Sequence, residues 1–122
     1  GTFYGVVDFY SACKDAGIKP IIGCEVYVAH SSRFDRSGSE RSPHHLVLLA
    51  RDNTGYQNLM RLVTDAHVEG FHYRPRIDRE LLEKYQKGLI ALSGCASAEL
   101  PRRIADGYGQ RERLGHRISC IR

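Results

Sequence analysis

The segment from Ile21 to Val28 constrains the fold most, because its β-branched and aromatic residues predict a strand with two unlike faces. One face is apolar and suited to packing under helices; it holds Ile22, Cys24, Val26 and Val28. The other face carries Glu25 beside Gly23, which leaves space. A carboxylate in an apolar strand is costly to bury unless a cation or a hydrogen-bond network meets it. Glu25 is therefore a candidate metal ligand, and a salt-bridged or solvent-facing glutamate is an equally good interpretation of the residue alone.

The rest of the hydrophobic pattern predicts an α/β domain. Gly17 is placed to end the first helix in a left-handed conformation, and Asp78 is placed to cap a short helix. Helices are predicted at 3–16, from a cap within 52–54 to Gly70, at 78–85 and at 98–106, and strands at 21–28, 45–50 and 89–93. The polar segment 29–43 has no helical period, so it is predicted to be a long flexible loop.

That loop also predicts how the first two strands pair. Parallel neighbours need a crossover, usually a helix, and none is visible between residues 29 and 43. We therefore expect the chain to return antiparallel, which brings the end of the first strand beside His45 at the start of the second. A separation beyond about 10 Å between the Glu25 and His45 side chains would exclude a shared metal site, since metal–ligand bonds are about 2 Å long.

Two further side chains of the right chemistry lie at strand ends. His45 opens the second strand, and Cys95 follows the third strand in the turn Gly94–Ala96. Carboxylate, imidazole and thiolate are all ligands of divalent metals. From the residues alone the plainer interpretations are favoured, because tandem histidines before a strand are more often polar loop residues and a small cysteine in a turn is commonly just buried.

Composition, charge and motifs argue against several classes of protein. No apolar stretch is long enough to span a bilayer, and the first residues lack the features of a signal peptide. Four cysteines at wide spacings suit a reducing cytosol. The net charge of +4 comes largely from arginines after residue 109, so it is weak evidence for nucleic-acid binding. Nucleotide-binding glycine motifs, the nucleophile elbow and zinc-protease motifs are absent from the sequence.

Three arginines near Tyr73 are candidate phosphate contacts, because basic residues beside an aromatic side chain are typical of single-strand binders. They are Arg74, Arg76 and Arg79. A solvated charged face is the favoured interpretation.

Several motifs in register resemble one protein family. They are GIKPIIGCEVYVA (17–29), SRFD (32–35), HLVLLA (45–50), TGYQNL (54–59), PRID (75–78) and GLIALSGC (88–95). In this order, over residues 1–106, the chain resembles the PHP (polymerase and histidinol phosphatase) domain family of bacterial DNA polymerase III alpha subunits, the C-family replicative polymerases.

The resemblance implies part of a distorted (β/α)₇ barrel that carries up to three divalent metals, Zn or Mn. Glu25, His45 and Cys95 are the positions that match the family's ligand pattern. The implied activity is metal-dependent phosphoester hydrolysis, including 3′–5′ exonuclease action. The implied parent is a DNA-directed DNA polymerase, whose Mg-binding carboxylates lie outside this chain, so no catalytic residue is assigned here.

The same resemblance implies a cytoplasmic protein whose partners are DNA, dNTPs, the sliding clamp, other replisome subunits and a proofreading exonuclease subunit, with no membrane. We expect residues 1–106 to be a PHP domain truncated at both ends, inactive alone and only partly stable. Residues 107–122 depart from the pattern and are expected to form a weakly ordered basic tail. Three alternatives stay open: a stand-alone PHP phosphoesterase, a non-catalytic PHP scaffold that docks a proofreading subunit, and an error-prone relative of the replicative polymerase.

Overall fold

The computed structural model describes residues 1–37, 43–93 and 99. Three helices and five strands are described: α1 (Val6–Asp15), β1 (Gly23–Val28), β2 (His44–Ala50), α2 (Asn53–Val68), β3 (Phe71–His72), β4 (Arg74–Ile77), α3 (Arg79–Tyr85) and β5 (Leu89–Leu92). The mixed α/β class expected from the sequence is confirmed. The predicted helix at 98–106 lies outside the described residues, apart from Glu99.

The strands form one mixed sheet in the order β3-β4-β1-β2-β5. β1 and β2 run antiparallel, with Gly23 opposite Leu49 at one end and Val28 opposite His44 at the other. β4 lies parallel to β1, and β5 lies antiparallel to β2. The antiparallel return predicted from the helix-free loop is therefore confirmed, and the crossover through α2 brings β4 to the other side of β1.

One face of the sheet is packed and the other is open among the described residues. The packed face joins Cys24, Val26, Val28, Leu48 and Leu89 to α2 and α3, whose buried residues include Leu59, Leu62, Ala66 and Leu81. On the open face, Ile90 and Leu92 are 44% and 45% exposed. Glu25 lies on this open face, because it alternates with the buried positions of β1.

Local capping explains where the helices begin and end. After α1, Gly17 adopts φ +70°, and the N–H groups of Gly17 and Ile18 donate to the carbonyls of Lys14 and Cys13. This pair of bonds is a Schellman motif and needs the left-handed glycine predicted at this position. Asp52 and Asp78 cap α2 and α3 by accepting hydrogen bonds from Gly55 N and Leu81 N. α1 itself begins three residues later than the apolar pattern indicates.

The short strands β3 and β4 were not predicted from the sequence. They pair antiparallel around Tyr73, whose φ of +58° makes the reversal. Tyrosine rarely adopts this conformation, and Pro75 argues against a strand, so neither residue signals a hairpin. Among the helices that the structure describes, none is both long and apolar enough to cross a membrane.

Candidate metal centre

Glu25 and His45 meet on the open face of the sheet. In the β1–β2 register Glu25 lies opposite Val47 and Tyr27 lies opposite His45, so the two side chains are diagonal neighbours on one face. His45 Nδ1 lies 2.6 Å from Glu25 Oε1, and the two side chains are 28% and 50% exposed. The separation is well inside the limit of about 10 Å set by the length of metal–ligand bonds. The geometric condition for a shared site is therefore met.

Tyr27 and Arg74 lie beside the Glu25–His45 pair. We call these four side chains the row. The Tyr27 and His45 rings are nearly perpendicular, with their centroids 5.0 Å apart. The Arg74 guanidinium carbon lies 4.9 Å from the Tyr27 ring centroid. The Tyr27 ring therefore contacts both His45, a candidate ligand, and the Arg74 cation.

The Glu25–His45 pair can act in two ways towards a metal. Both side chains can ligate one cation, because their donor atoms Oε1 and Nδ1 lie 2.6 Å apart. Alternatively Glu25 accepts from Nδ1–H and orients the ring, which leaves Nε2 to ligate. Either arrangement fits Zn or Mn, which accept nitrogen and oxygen ligands. Within residues 1–37, 43–93 and 99, no group of three or more His, Cys, Asp or Glu side chains is arranged to hold a metal. Cys95 lies outside the described residues.

An ion-pair cluster centred on the buried residues Arg33 and Asp78 anchors the loop that follows β1. Arg33 is 6% exposed and Asp78 is 3% exposed. Arg33 Nη1 lies 3.0 Å from Asp78 Oδ2, and the Arg33 backbone N–H donates to the same carboxylate at 3.0 Å. Glu69 and Glu80 contact the guanidinium at 2.8 Å and 3.1 Å.

Charge and burial act in opposite directions in this cluster. Burial alone lowers the pKa of the Arg33 guanidinium, but its hydrogen bonds to Glu69, Glu80 and Asp78 outweigh burial and raise the pKa above its usual range. Burial likewise raises the pKa of Asp78, but hydrogen bonds from Arg33 N, Leu81 N and the guanidinium outweigh it and lower the pKa. Both groups are therefore charged at neutral pH.

The family of the chain follows from a comparison with known proteins. The PHP domain family matches residues 1–119. The chain belongs to the PHP domain family. It is 55% identical over 102 residues to the DNA polymerase III subunit alpha of Chlamydia muridarum, a match that covers 82% of this chain and 8% of the relative.

Two further relatives carry the same name. The chain is 54% identical over 107 residues to the DNA polymerase III subunit alpha of Thermus aquaticus, which covers 85% of this chain and 9% of the relative. It is 48% identical over 109 residues to that of Treponema pallidum, which covers 88% of this chain and 9% of the relative. The PHP chain thus spans less than a tenth of the length of these curated relatives.

Sequence reasoning missed the polar interior of this PHP domain. The loop that begins at residue 29 was predicted to be flexible, yet the described part is tied down through Arg33. Arg76 was assigned to a solvated face, but it is 2% exposed and donates from Nη2 to the carbonyls of Arg33 and Asp35 at 3.0 Å and 2.7 Å. The position of Arg33 within the SRFD motif was the only sequence signal for this role.

Proposed function

We propose that this chain is part of a DNA polymerase III alpha subunit and that Glu25, His45 and Cys95 supply part of a divalent-metal site in its PHP domain. The observation that carries the proposal is the contact of 2.6 Å between His45 Nδ1 and Glu25 Oε1 on the open face of the sheet. The names of the relatives support the parent protein. Cys95 is included because its position matches the family's ligand pattern. That pattern also implies further ligands from outside residues 1–122.

The open apolar face supports a larger barrel. Ile90 and Leu92 lie on the same face as Glu25, because they pair with Leu49 and Val47 of β2. Large apolar side chains on one side of a sheet normally require a covering layer. Further strands of a distorted (β/α)₇ barrel would cover these residues and bring more ligands to Glu25 and His45. We propose residues 1–106 as the part of the barrel present here and 107–122 as a basic tail.

Phosphoester hydrolysis is the chemistry that this donor set supports. Divalent metals bound here would lower the pKa of a bound water and neutralise charge on the phosphodiester. Within the chain, Glu25 and His45 would hold their donor atoms in place through the β1–β2 register, and Tyr27 would fix the orientation of the His45 ring. The reaction proposed is removal of 3′-terminal nucleotides from DNA.

The parent protein would be a cytoplasmic DNA-directed DNA polymerase. Its substrates would be DNA and dNTPs, its nucleotidyl-transfer site would use Mg, and its partners would include the sliding clamp and other replisome subunits. The polymerase carboxylates would lie outside this chain. The fraction of each relative that the chain covers, 8% and 9%, is consistent with a small part of such a protein.

The test is 3′–5′ exonuclease activity of the full-length protein that contains this chain. Glu25→Gln and His45→Ala are expected to lower the rate by at least about a hundredfold, because each removes a donor that positions the reaction. The matched control is Glu83→Gln, the same chemical change at an exposed position of α3. It should leave the rate within about twofold of wild type.

The alternatives give different results. An exonuclease rate at the wild-type level in each of the two single variants, Glu25→Gln and His45→Ala, would contradict the metal-site proposal. A full-length protein that binds no stoichiometric metal and docks a proofreading subunit would support the scaffold alternative. A protein without polymerase activity that hydrolyses small phosphoesters would support the stand-alone phosphoesterase.

A further inference from the structure

The three arginines near Tyr73 have different roles in the structure. Arg76 is buried and its guanidinium is used by backbone carbonyls of the loop after β1. Arg79 Nη2 lies 3.1 Å from Glu99 Oε1 in an ion pair. Arg74 is exposed, and within the described part of the chain no carboxylate lies within ion-pair distance of it. The sequence does not distinguish these three residues, but among residues 1–37, 43–93 and 99 Arg74 is the one of the three whose charge has no carboxylate partner and no carbonyl partner near the candidate metal centre.

The sheet register places Arg74 on the same face of the sheet as Glu25. Tyr27 of β1 pairs with Arg76 of β4 in the parallel ladder. Two residues back along the two strands are Glu25 and Arg74, and residues two apart in a strand share a face. The contact of 4.9 Å between the Arg74 guanidinium carbon and the Tyr27 ring places the cation on the Tyr27 side of the sheet. That same ring contacts His45, which lies on β2, the neighbour of β1 opposite to β4.

A guanidinium held over an aromatic ring by a cation–π contact still has its planar fork of N–H donors available for a second partner. Such a group pairs with two oxygens of a phosphate at once, which a lysine ammonium does not do. Glu25 has the opposite charge and lies near, yet it is paired with His45 rather than with Arg74. The row therefore offers two different functions: metal-ligand chemistry at Glu25 and His45, and anion binding at Arg74.

We propose that Arg74 binds the phosphodiester group of the substrate at the Glu25–His45 site, with Tyr27 as the platform that positions its guanidinium. The inference rests on the proposed hydrolytic function and adds a substrate-binding residue on β4. Its role is to hold the phosphate oxygens against the site. Arg74 would therefore act on substrate affinity, and the metal ligands would act on the chemical step.

The experiment uses the full-length protein with Arg74→Met, Arg74→Lys and the control Arg79→Met. Inorganic phosphate is titrated calorimetrically into each protein, and KM and kcat are measured for hydrolysis of thymidine 5′-(4-nitrophenyl) phosphate. Arg74→Met is expected to raise the phosphate Kd and the KM by about tenfold or more and to change kcat by less than about threefold. Arg74→Lys should fall between Arg74→Met and wild type, because it keeps the charge and loses the planar fork. Arg79→Met should match wild type.

Metal content separates this inference from the function on which it rests. If the wild-type protein holds metal and Glu25→Gln loses it, while Arg74→Met binds phosphate as tightly as Arg79→Met does, Arg74 has no role in binding and the inference is wrong. If the wild-type protein holds no metal and hydrolyses nothing, the proposed function fails and the inference fails with it. Loss of phosphate affinity in Arg74→Met, with metal content unchanged, supports both.

Discussion

At the scale of single residues, the Arg33–Asp78 pair shows how polar groups fix a loop that carries few apolar side chains. Arg33 and Asp78 are 45 positions apart in the sequence and share three hydrogen bonds, through Arg33 N and Arg33 Nη1. Asp78 also caps α3 by accepting from Leu81 N. One carboxylate therefore joins the chain leaving β1 to the start of a helix. Removing Arg33 would leave Asp78 as a buried carboxylate without the cation that pairs with it.

Arg33→Met is expected to destabilise this junction locally by about 3–5 kcal/mol, because it leaves Asp78 buried without its cation. Hydrogen exchange in the full-length protein measures this directly, since the Arg33 amide itself donates to Asp78. Exchange of the segment 29–37 should speed up by about a hundredfold or more. Arg61→Met, an exposed change on α2, is the control and should alter exchange by less than about threefold. Equal exchange in the two variants would show that the cluster does not hold the loop.

The lowered pKa of Asp78 predicts an acid-sensitive junction. Burial raises this pKa, but the hydrogen bonds from Arg33 N, Leu81 N and the Arg33 guanidinium outweigh it, so the folded pKa lies below the unfolded value of about 3.9. The stabilisation is then fully present above about pH 4 and is lost as the pH falls through the folded pKa. Exchange protection of the segment 29–37, corrected for the intrinsic rate, should be level from about pH 7 to 5 and decline below about pH 4.

Asp78→Asn is the control for this titration. Asparagine keeps the capping hydrogen bond to Leu81 but cannot ionise. The variant should be less stable at neutral pH and should lose the part of the acid dependence that belongs to Asp78. An acid dependence identical to that of wild type would assign the effect to other carboxylates.

At the scale of elements, the close approach of α2 to the turn before β5 depends on two glycines. A Cβ on Gly55 would lie 1.8 Å from the Gly88 carbonyl oxygen, and a Cβ on Gly88 would lie 2.6 Å from Asp52 Oδ1. Gly88 also has φ +77°. The Asp52 cap, the first turn of α2 and the start of β5 therefore meet at backbone distance. Arg51 N donates to the Gly88 carbonyl at 2.9 Å and closes the junction.

Gly88→Ala is expected to destabilise more than Gly17→Ala. Both glycines have a left-handed φ, which costs a side chain about 1–2 kcal/mol. A Cβ at Gly17 meets no atom within 4 Å, whereas one at Gly88 meets Gly55 N and Asp52 Oδ1 at 2.5 Å and 2.6 Å. Overpacking should therefore add about 1–3 kcal/mol at Gly88 only. Exchange protection of the first turn of α2 in each variant measures the difference, and equal losses would contradict the steric argument.

The elements also show what sequence reasoning can and cannot predict. The β1–β2 pairing was predictable because a loop without a helix favours an antiparallel return, and this placed Glu25 beside His45. The β3–β4 hairpin was not, because Tyr73 makes the reversal without glycine or asparagine. The burial of Arg33 and Arg76 was not predictable either. Their partners lie far away in sequence, so only the tertiary structure shows that these charges are compensated.

At the scale of the whole molecule, the sheet has one face packed by helices and one face whose apolar residues are only partly covered by the described chain. Ile90 and Leu92 share that face with the candidate metal centre. The isolated 122-residue chain is therefore expected to bind a hydrophobic dye, to retain metal weakly and to show no nuclease activity. The full-length protein, in which we propose that further strands complete the barrel, should bind the dye far less. A cooperative melt with tight metal binding and nuclease activity in the isolated chain would contradict the barrel proposal.

The most direct test of the central claim is the metal content of the full-length protein, measured by inductively coupled plasma mass spectrometry after purification without added metal. Glu25 and His45 are in contact at 2.6 Å, so each variant should disturb the same site. The wild-type protein and Glu83→Gln are expected to retain at least about one equivalent of Zn or Mn, and Glu25→Gln and His45→Ala to lose about one. Equal metal content in all four proteins, or none in the wild type, would contradict the assignment of this site.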